Sequence, residues 1–201
     1  MKKSLFVVLT IGLLCGGFSL FTGCSKKSPT APQTGTEEQI AVITTTDYSS
    51  GNLASIAEGD STAAINLLLI YSDNAVTAYG EYVYVIERKG ADNIIKLDPN
   101  DLGEDGIIYQ ESVGNDSNPQ DIAFVSEHKA YVSRYDDTAL WIIDPSTGDK
   151  TGEIDLSEFV AYAGTDSAEA NPQMSSMAIA GGKLYVTCQR LKGWGPGDVS
   201  L

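Results

Sequence analysis

The chain has 201 residues, of which 42% are hydrophobic and 20% charged, which is typical of a folded protein and not of a disordered one. It carries 13 basic and 27 acidic residues, a formal net charge of -14. That excess of acid excludes a nucleic-acid partner, because phosphate contacts need clustered cations. One histidine and three cysteines spread along the chain also exclude a closed zinc site. We expect no cofactor and no metal.

Residues 1–23 have the pattern of an export signal. Lys2 and Lys3 precede the apolar run LFVVLTIGLL, and the segment ends in Leu-Phe-Thr-Gly before Cys24. This resembles a bacterial lipoprotein signal peptide with its lipobox, although Phe21 stands where Leu is usual. The resemblance implies cleavage before Cys24, which then carries a diacylglyceryl group as the mature N-terminus.

Two alternatives to lipid attachment remain open. The uncharged run from Leu5 to Thr22 is long enough for an uncleaved membrane anchor, and Cys24 would also suit an ordinary exported chain. Every alternative places most of the protein outside the cytoplasm. The resemblance, together with Ser25 after the cysteine, implies the bacterial cell envelope, with the outer membrane or cell surface favoured over the inner membrane.

Residues 24–39 are polar, contain Pro, Gly and Thr, and lack apolar periodicity, which predicts a flexible tether. From residue 40 onward the sequence consists of short β-branched and aromatic runs separated by Gly, Asp, Asn and Pro. This pattern is typical of strands joined by turns. The stretch from Ala63 to Tyr71 is apolar but short, and we predict a buried strand rather than a helix there.

Three motifs recur in a common order at intervals of about 40–55 residues, which indicates a repeat architecture. They are the strands Val42-Ile-Thr44, Tyr84-Val-Ile86, Tyr131-Val-Ser133 and Tyr185-Val-Thr187, the turns Asp98-Pro99 and Asp144-Pro145, and the tripeptides Asn118-Pro-Gln120 and Asn171-Pro-Gln173. Within the best-preserved unit the runs 121–124, 130–134, 140–143 and 151–156 read as successive strands separated by polar turns. Four strands in such a unit predict an all-β fold of β-propeller blades, each a four-stranded antiparallel meander.

These motifs resemble the YVTN-type, surface-layer-like β-propeller repeats of secreted or lipid-anchored proteins. The resemblance covers about residues 40–201 and implies a partial propeller with repeats at about 40–71, 75–113, 118–158 and 171–201. The Asn that closes the family's Tyr-Val-Thr-Asn is replaced here by Glu87, Arg134 and Cys188, which marks a divergent member.

The repeats amount to about three and a half blades, whereas the family's closed rings usually have about seven. The first unit starts at its second strand, and we expect an N-terminal fragment of a longer protein with an exposed sheet edge. A capped stack of three blades is the alternative.

Candidate sites are few. Asp98, Asp101, Glu104 and Asp105 could offer oxygens to calcium, but Leu102 breaks the EF-hand spacing, and a solvated turn is favoured. Cys188 lies in an apolar strand, where a packed small side chain fits better than a nucleophile.

The remaining candidates are one histidine and two tryptophans. His128 lies in a polar hairpin turn without a readable Ser or Cys partner, and we interpret it as a surface residue. Trp141 alternates with apolar residues on a strand and is predicted to lie in the blade core. Trp194 lies in a loop between glycines and is the predicted ligand or partner contact.

Two classes of function remain open. We favour a non-enzymatic binding module at the cell envelope, held by the lipid on Cys24, whose propeller face binds an envelope protein, a peptide or a glycan. The alternative is a propeller enzyme of the quinoprotein or lactonase type, with a channel site completed by further blades. The single histidine counts against an enzyme, and no catalytic residue is predicted.

Overall fold

The computed structural model describes residues 40–47, 49–160 and 171–189, which all lie in one unit spanning Glu38–Leu201. Sheet 1 contains β1 (Ile40–Thr46), β2 (Gly51–Ala57) and β3 (Ala64–Ile70). Sheet 2 contains β4 (Asn74–Tyr79), β5 (Tyr82–Glu87), β6 (Asn93–Leu97) and β7 (Ile107–Ser112). Sheet 3 contains β8 (Pro119–Ser126), β9 (Lys129–Arg134), β10 (Ala139–Ile143) and β11 (Lys150–Asp155). Sheet 4 contains β12 (Met174–Ala180) and β13 (Lys183–Cys188).

Within each sheet every strand pairs antiparallel with its neighbour in sequence, so sheets 1, 2 and 3 are meanders and sheet 4 is a hairpin. Two short 3-10 turns, Glu104–Gly106 and Ser157–Phe159, interrupt the described ranges, which contain no α-helix. Within the same ranges no helix has the length and apolarity that crossing a membrane requires. The predicted fold class, all-β with four-stranded antiparallel propeller blades, is confirmed by sheets 2 and 3. The predicted signal peptide (residues 1–23) and tether (24–39) lie outside the described residues.

The core consists of two apolar layers, one on each side of sheet 2. Successive residues of a strand point to opposite faces, so β5 contributes to both layers. Val83 and Val85 pack with the residues of sheet 1, while Tyr84 and Ile86 pack with those of sheet 3. This double burial explains why β5 has no alternating polar residue, and it makes each sheet's stability depend on its neighbours.

The stretch from Ala63 to Tyr71 forms a strand, β3, but it is only partly buried. Leu68 and Ile70 are in the core, whereas Ile65 and Leu69 are 67% and 70% exposed. The expectation of a buried strand is therefore wrong for four of its seven residues, which are exposed. From Leu67 to Ile70 the two-residue period turns alternate residues away from sheet 2, and before that the left-handed Asn66 and a register shift against β2 interrupt the alternation.

The two Asn-Pro-Gln tripeptides are not structurally equivalent. Asn118 directly precedes β8 in the left-handed conformation, with a φ of 51°. The residue that directly precedes β12 in that conformation is Gln173, with a φ of 53°. Asn171 lies upstream, and its Oδ1 accepts a hydrogen bond from the Gln173 amide at 3.0 Å. The same tripeptide is therefore shifted by two residues relative to the start of the first strand of its sheet, β8 in one case and β12 in the other.

Candidate binding site

One end of sheets 2, 3 and 4 is built in the same way each time. The residue before the first strand of the sheet accepts a hydrogen bond, through its carbonyl, from the amide of the residue after the second strand. The pairs are Arg88 N to Asp73 O (2.7 Å), Tyr135 N to Asn118 O (3.0 Å) and Gln189 N to Gln173 O (3.0 Å). We call this end of the sheets the rim. The rim loops carry polar side chains that lie outside the strands and their alternation of apolar and polar residues.

The rim residues of three successive sheets line one polar cleft of about 610 Å³, which we call the large cleft. Its lining residues are Asp73, Arg88, Lys89, Asn118, Gln120, Tyr135, Asp136 and Gln189. The volume lies within the range of about 300–1,000 Å³ that is usual for ligand sites. All of these residues except Gln120, which lies on β8, come from the loops of the rim, and stacking of the sheets brings them together although they are far apart in sequence.

Arg88 joins sheet 2 to sheet 3 within the large cleft. Its Nε donates to Asp73 Oδ1 at 2.7 Å, and its Nη2 lies 2.5 Å from the same oxygen. Its Nη1 donates to Gln120 Oε1 at 3.2 Å. The guanidinium is therefore oriented by one carboxylate and one amide, which leaves its outer edge toward the cleft, with the side chain 32% exposed.

A second chain of hydrogen bonds runs along the same wall. Lys89 Nζ and Asn118 Nδ2 both donate to Asp136 Oδ2, at 2.8 and 3.0 Å. Gln120 Nε2 donates to Asn118 Oδ1 at 2.7 Å. The hydrogen bond from the ammonium to Asp136 raises the pKa of Lys89 above its usual value, so this cation stays charged at neutral pH. Each cation of the cleft thus has its own carboxylate, and the pairs leave no net charge.

A smaller polar cleft of about 350 Å³ follows at the seam between sheets 1 and 2. Its lining residues are Thr44, Thr45, Thr46, Ser72, Asp73, Asn74 and Arg88. It shares the Asp73–Arg88 ion pair with the large cleft. The pair therefore forms a common wall between two neighbouring polar clefts at consecutive seams.

Two buried charges, Glu87 and Arg134, lie beneath the rim at the ends of β5 and β9. Glu87 accepts from the Tyr71 amide at 2.5 Å and from Gln110 Nε2 at 3.2 Å. Arg134 donates through Nε to Val113 O at 2.8 Å. Tyr71 and Val113 lie in the connections that enter sheets 2 and 3, so both charges hold the loop that leads into their own sheet.

Asp92 fixes the segment that leads to β8. Its side chain is buried, and its Oδ1 and Oδ2 accept from the amides of Asn118 and Asp116 at 2.7 and 3.0 Å. Its carbonyl accepts from the Val113 amide at 2.9 Å. A carboxylate with two amide donors is a strong local anchor, and it positions the Asn118 side chain in the large cleft.

Neither predicted site residue can be placed, because Cys24 and Trp194 lie outside the described residues. In the acidic turn around Asp98 and Asp101 both carboxylates accept hydrogen bonds from backbone amides of the turn. Asp98 Oδ1 accepts from the Asn100 amide at 2.8 Å, and Asp101 Oδ1 from the Gly103 amide at 3.0 Å. No group of three possible metal ligands occurs among the residues that the structure describes.

His128 is exposed in the β8–β9 hairpin, and its Nδ1 lies 3.3 Å from Asp144 Oδ2. This hairpin is at the end of sheet 3 opposite the rim. The hydroxyl and amide of Ser146, with a smaller contribution from His128, lower the pKa of Asp144. Cys188 is half-buried at the end of β13.

Trp141, predicted to lie in the blade core, is a partly buried residue of β10. It packs against the core only in part. The Arg134 guanidinium and the Lys150 ammonium each lie 4.3 Å from the centroid of its ring. Trp141 lies on the same face of β10 as Ile143, which belongs to the core layer between sheets 2 and 3, and the two cations lie over its ring.

The rim residues escaped the sequence reasoning because they lie just outside the repeated strands. Arg88, Tyr135 and Gln189 follow the Tyr-Val strands directly, and they differ in every unit. A position that varies beside a repeated strand is the signal that could have indicated them, since loops on a rigid scaffold carry function.

The sheets define the chain as a β-propeller protein with a polar rim. The sequence matches no protein-family model and no curated protein. A crystal structure of a catalytically inactive virginiamycin B lyase from Staphylococcus aureus, with quinupristin, is similar with a TM-score of 0.48 and 14% sequence identity. The alignment covers 77% of this chain and 55% of the lyase chain, so this chain spans about half of that structure.

Proposed function

We propose that the chain is an exported, lipid-anchored propeller of the YVTN type that binds a polar ligand in the large cleft without catalysing a reaction. The observation that carries the proposal is the construction of this cleft from corresponding rim positions of three sheets. A site assembled in this way is present before the ligand arrives, which lowers the ordering cost of binding. The proposed location rests on residues 1–24 of the sequence.

The electrostatics of the large cleft support binding rather than catalysis. A general acid or base must be within hydrogen-bond reach of the proton that it transfers. The acids of the described cleft are engaged by cations, Asp73 by Arg88 and Asp136 by Lys89. Arranged donors and acceptors of this kind orient a ligand, and His128 lies at the other end of its sheet.

Lipid attachment is tested by the variant Cys24→Ser in the full chain. We expect it to lose incorporation of labelled palmitate and most of its membrane partitioning, because the thiol carries the lipid. Cys15→Ser is the matched control, since this cysteine lies in the segment that is cleaved away, and it should behave as the wild type. Unchanged partitioning of Cys24→Ser would instead support an uncleaved anchor formed by residues 5–22.

Binding at the rim is tested by photocrosslinking in intact cells. A benzoylphenylalanine replaces Lys89 in the large cleft in one variant and Lys129 at the opposite end of sheet 3 in the other. We expect an adduct that is detected as a mass increase from the Lys89 position only. Adducts of equal yield at both positions, or none at Lys89, would refute the rim as the binding face.

A further inference from the structure

The two rim clefts have the properties of adjacent subsites for a chain-like ligand. We infer that the protein binds a neutral oligosaccharide, with one sugar unit in the large cleft and the next in the smaller cleft. This inference rests on the proposed binding at the rim and adds the class of ligand. The juxtaposition that carries it is the Asp73–Arg88 pair, which lines both clefts.

The shared wall explains why a single ligand would occupy both clefts. Asp73 Oδ1 receives both Arg88 contacts, and within residues 40–47, 49–160 and 171–189 the other carboxylate oxygen has no hydrogen-bond donor, which suits a donor from the ligand. Its side chain is 40% exposed, and that of Arg88 32%. A sugar linkage that passes over this pair meets an acceptor and a donor together, which suits adjacent hydroxyl groups.

The charge balance argues for a neutral ligand. The protein as a whole has a net charge of -14, yet the large cleft pairs Arg88 with Asp73 and Lys89 with Asp136. An anionic ligand would have to compete with these carboxylates for their cations, and a cationic ligand would meet the reverse obstacle. A neutral ligand pays neither cost.

The remaining lining groups are matched to hydroxyls. The large cleft adds two glutamines, one asparagine and Tyr135, and the smaller cleft adds three threonines, Ser72 and Asn74. Amide and hydroxyl groups both donate and accept, as sugar hydroxyls do. A peptide would instead require apolar pockets for its side chains, and neither lining contains an aliphatic hydrophobic residue.

The test measures affinity against ligand length. The full chain, purified in detergent, is titrated by calorimetry with the malto-, cello- and N-acetylchito-oligosaccharide series from one to four units. In at least one series we expect the disaccharide to bind about tenfold more tightly than the monosaccharide, with little further gain, because two subsites are filled. Between 0.05 and 0.5 M NaCl the affinity should change less than about twofold, since no net charge is neutralised.

A pair of isosteric variants locates the second sugar. Thr45 lies in the smaller cleft and donates to Asn52 O at 3.4 Å, and Thr151 is an exposed strand threonine on β11 that donates to Ile142 O at 3.2 Å. Thr45→Val should lower the disaccharide affinity about fivefold, the worth of about one hydrogen bond, and leave the monosaccharide affinity unchanged. Thr151→Val should change neither.

Three results would overturn the inference. One is equal affinity for one and two units, and another is binding of glucuronate-containing oligosaccharides alone, weakened by salt. The third is no binding in any of the three series at millimolar concentration. Each of these leaves the proposed rim function intact if crosslinking at Lys89 succeeds, whereas failure at Lys89 refutes the rim itself.

Discussion

Arg134 is a buried residue of sheet 3 with several polar contacts. Its replacement by Met tests whether these contacts stabilise the rim. The residue is 5% exposed. Its guanidinium donates to Val113 O at 2.8 Å and Ala139 O at 3.3 Å, and it lies 2.9 Å from Asp137 Oδ2. It also covers one face of Trp141. Methionine retains the apolar stem but no donor.

The stability lost in Arg134→Met comes from the contacts that Met cannot make. Val113 O loses its side-chain donor in a buried connection, at about 1–3 kcal/mol, and the lost stacking on the indole adds about 0.5–2 kcal/mol. Asp137 is partly exposed and can turn to water, so it adds little. We expect a loss of about 1.5–5 kcal/mol in the free energy of unfolding, which corresponds to a Tm lower by about 3–20 °C for a chain of this size.

Lys150→Met is the matched control, measured with Arg134→Met by urea unfolding at pH 7. Lys150 covers the indole of Trp141 from the same distance, 4.3 Å, but its ion pair with Glu153 lies at the surface. Its loss should cost about 1 kcal/mol or less. If both variants lose the same amount, the buried hydrogen bonds of Arg134 do not stabilise the rim, and the reasoning is refuted.

Three further variants test other parts of the sheets. Lys96→Met should change the stability by less than about 1 kcal/mol at pH 7, because two tyrosine hydroxyls still donate to the carbonyl that the ammonium contacts. Burial lowers the pKa of Lys96, so the unfolded chain binds more protons, and the wild type should gain stability relative to this variant as the pH approaches 10. Gly114→Ala should cost about 2–4 kcal/mol in urea unfolding, since its Cβ would lie 2.5 Å from a guanidinium nitrogen at a φ of 96°, whereas Gly181→Ala, with open space around it, should cost about 1 kcal/mol. Ser49→Ala should raise the pKa of Asp47 from about 2 toward its usual 3.8 in a carboxyl-carbon NMR titration, because the Ser49 hydroxyl is the main cause of the lowered value; an unchanged midpoint would refute this.

The strand pattern was predictable because it is repeated and local. The Tyr-Val runs and the Asp-Pro turns indicate where strands begin and end. The unbroken apolar sequence of β5 indicates that this strand is buried on both faces. The two Asn-Pro-Gln tripeptides do not mark equivalent positions, because a match of three residues does not fix where the strand begins. A similar local turn precedes both inner strands, but the strand starts directly after Asn118 in one case and after Gln173 in the other.

The clefts could not be predicted, because their contacts cross from one sheet to the next. Arg88 meets Gln120 at a separation of 32 residues, and Lys89 meets Asp136 at 47 residues. These separations are set by how the sheets stack and not by any pattern within a strand. Composition does not reveal the local neutrality either, since a net charge of -14 describes the whole chain and not the paired side chains of one face.

The buried charges under the rim show how two different residue types serve corresponding positions of neighbouring sheets. Glu87 at the end of β5 only accepts hydrogen bonds, and Arg134 at the end of β9 only donates them. Each side chain suits its own connection, because Glu87 accepts a hydrogen bond from the Tyr71 amide and Arg134 donates one to the Val113 carbonyl. Exchanging these side chains between the sheets would place acceptor against acceptor and donor against donor, at the full cost of desolvation. Sheets 2 and 3 therefore share a contact to the incoming loop and not a residue type, and each of the two holds its loop with its own charge.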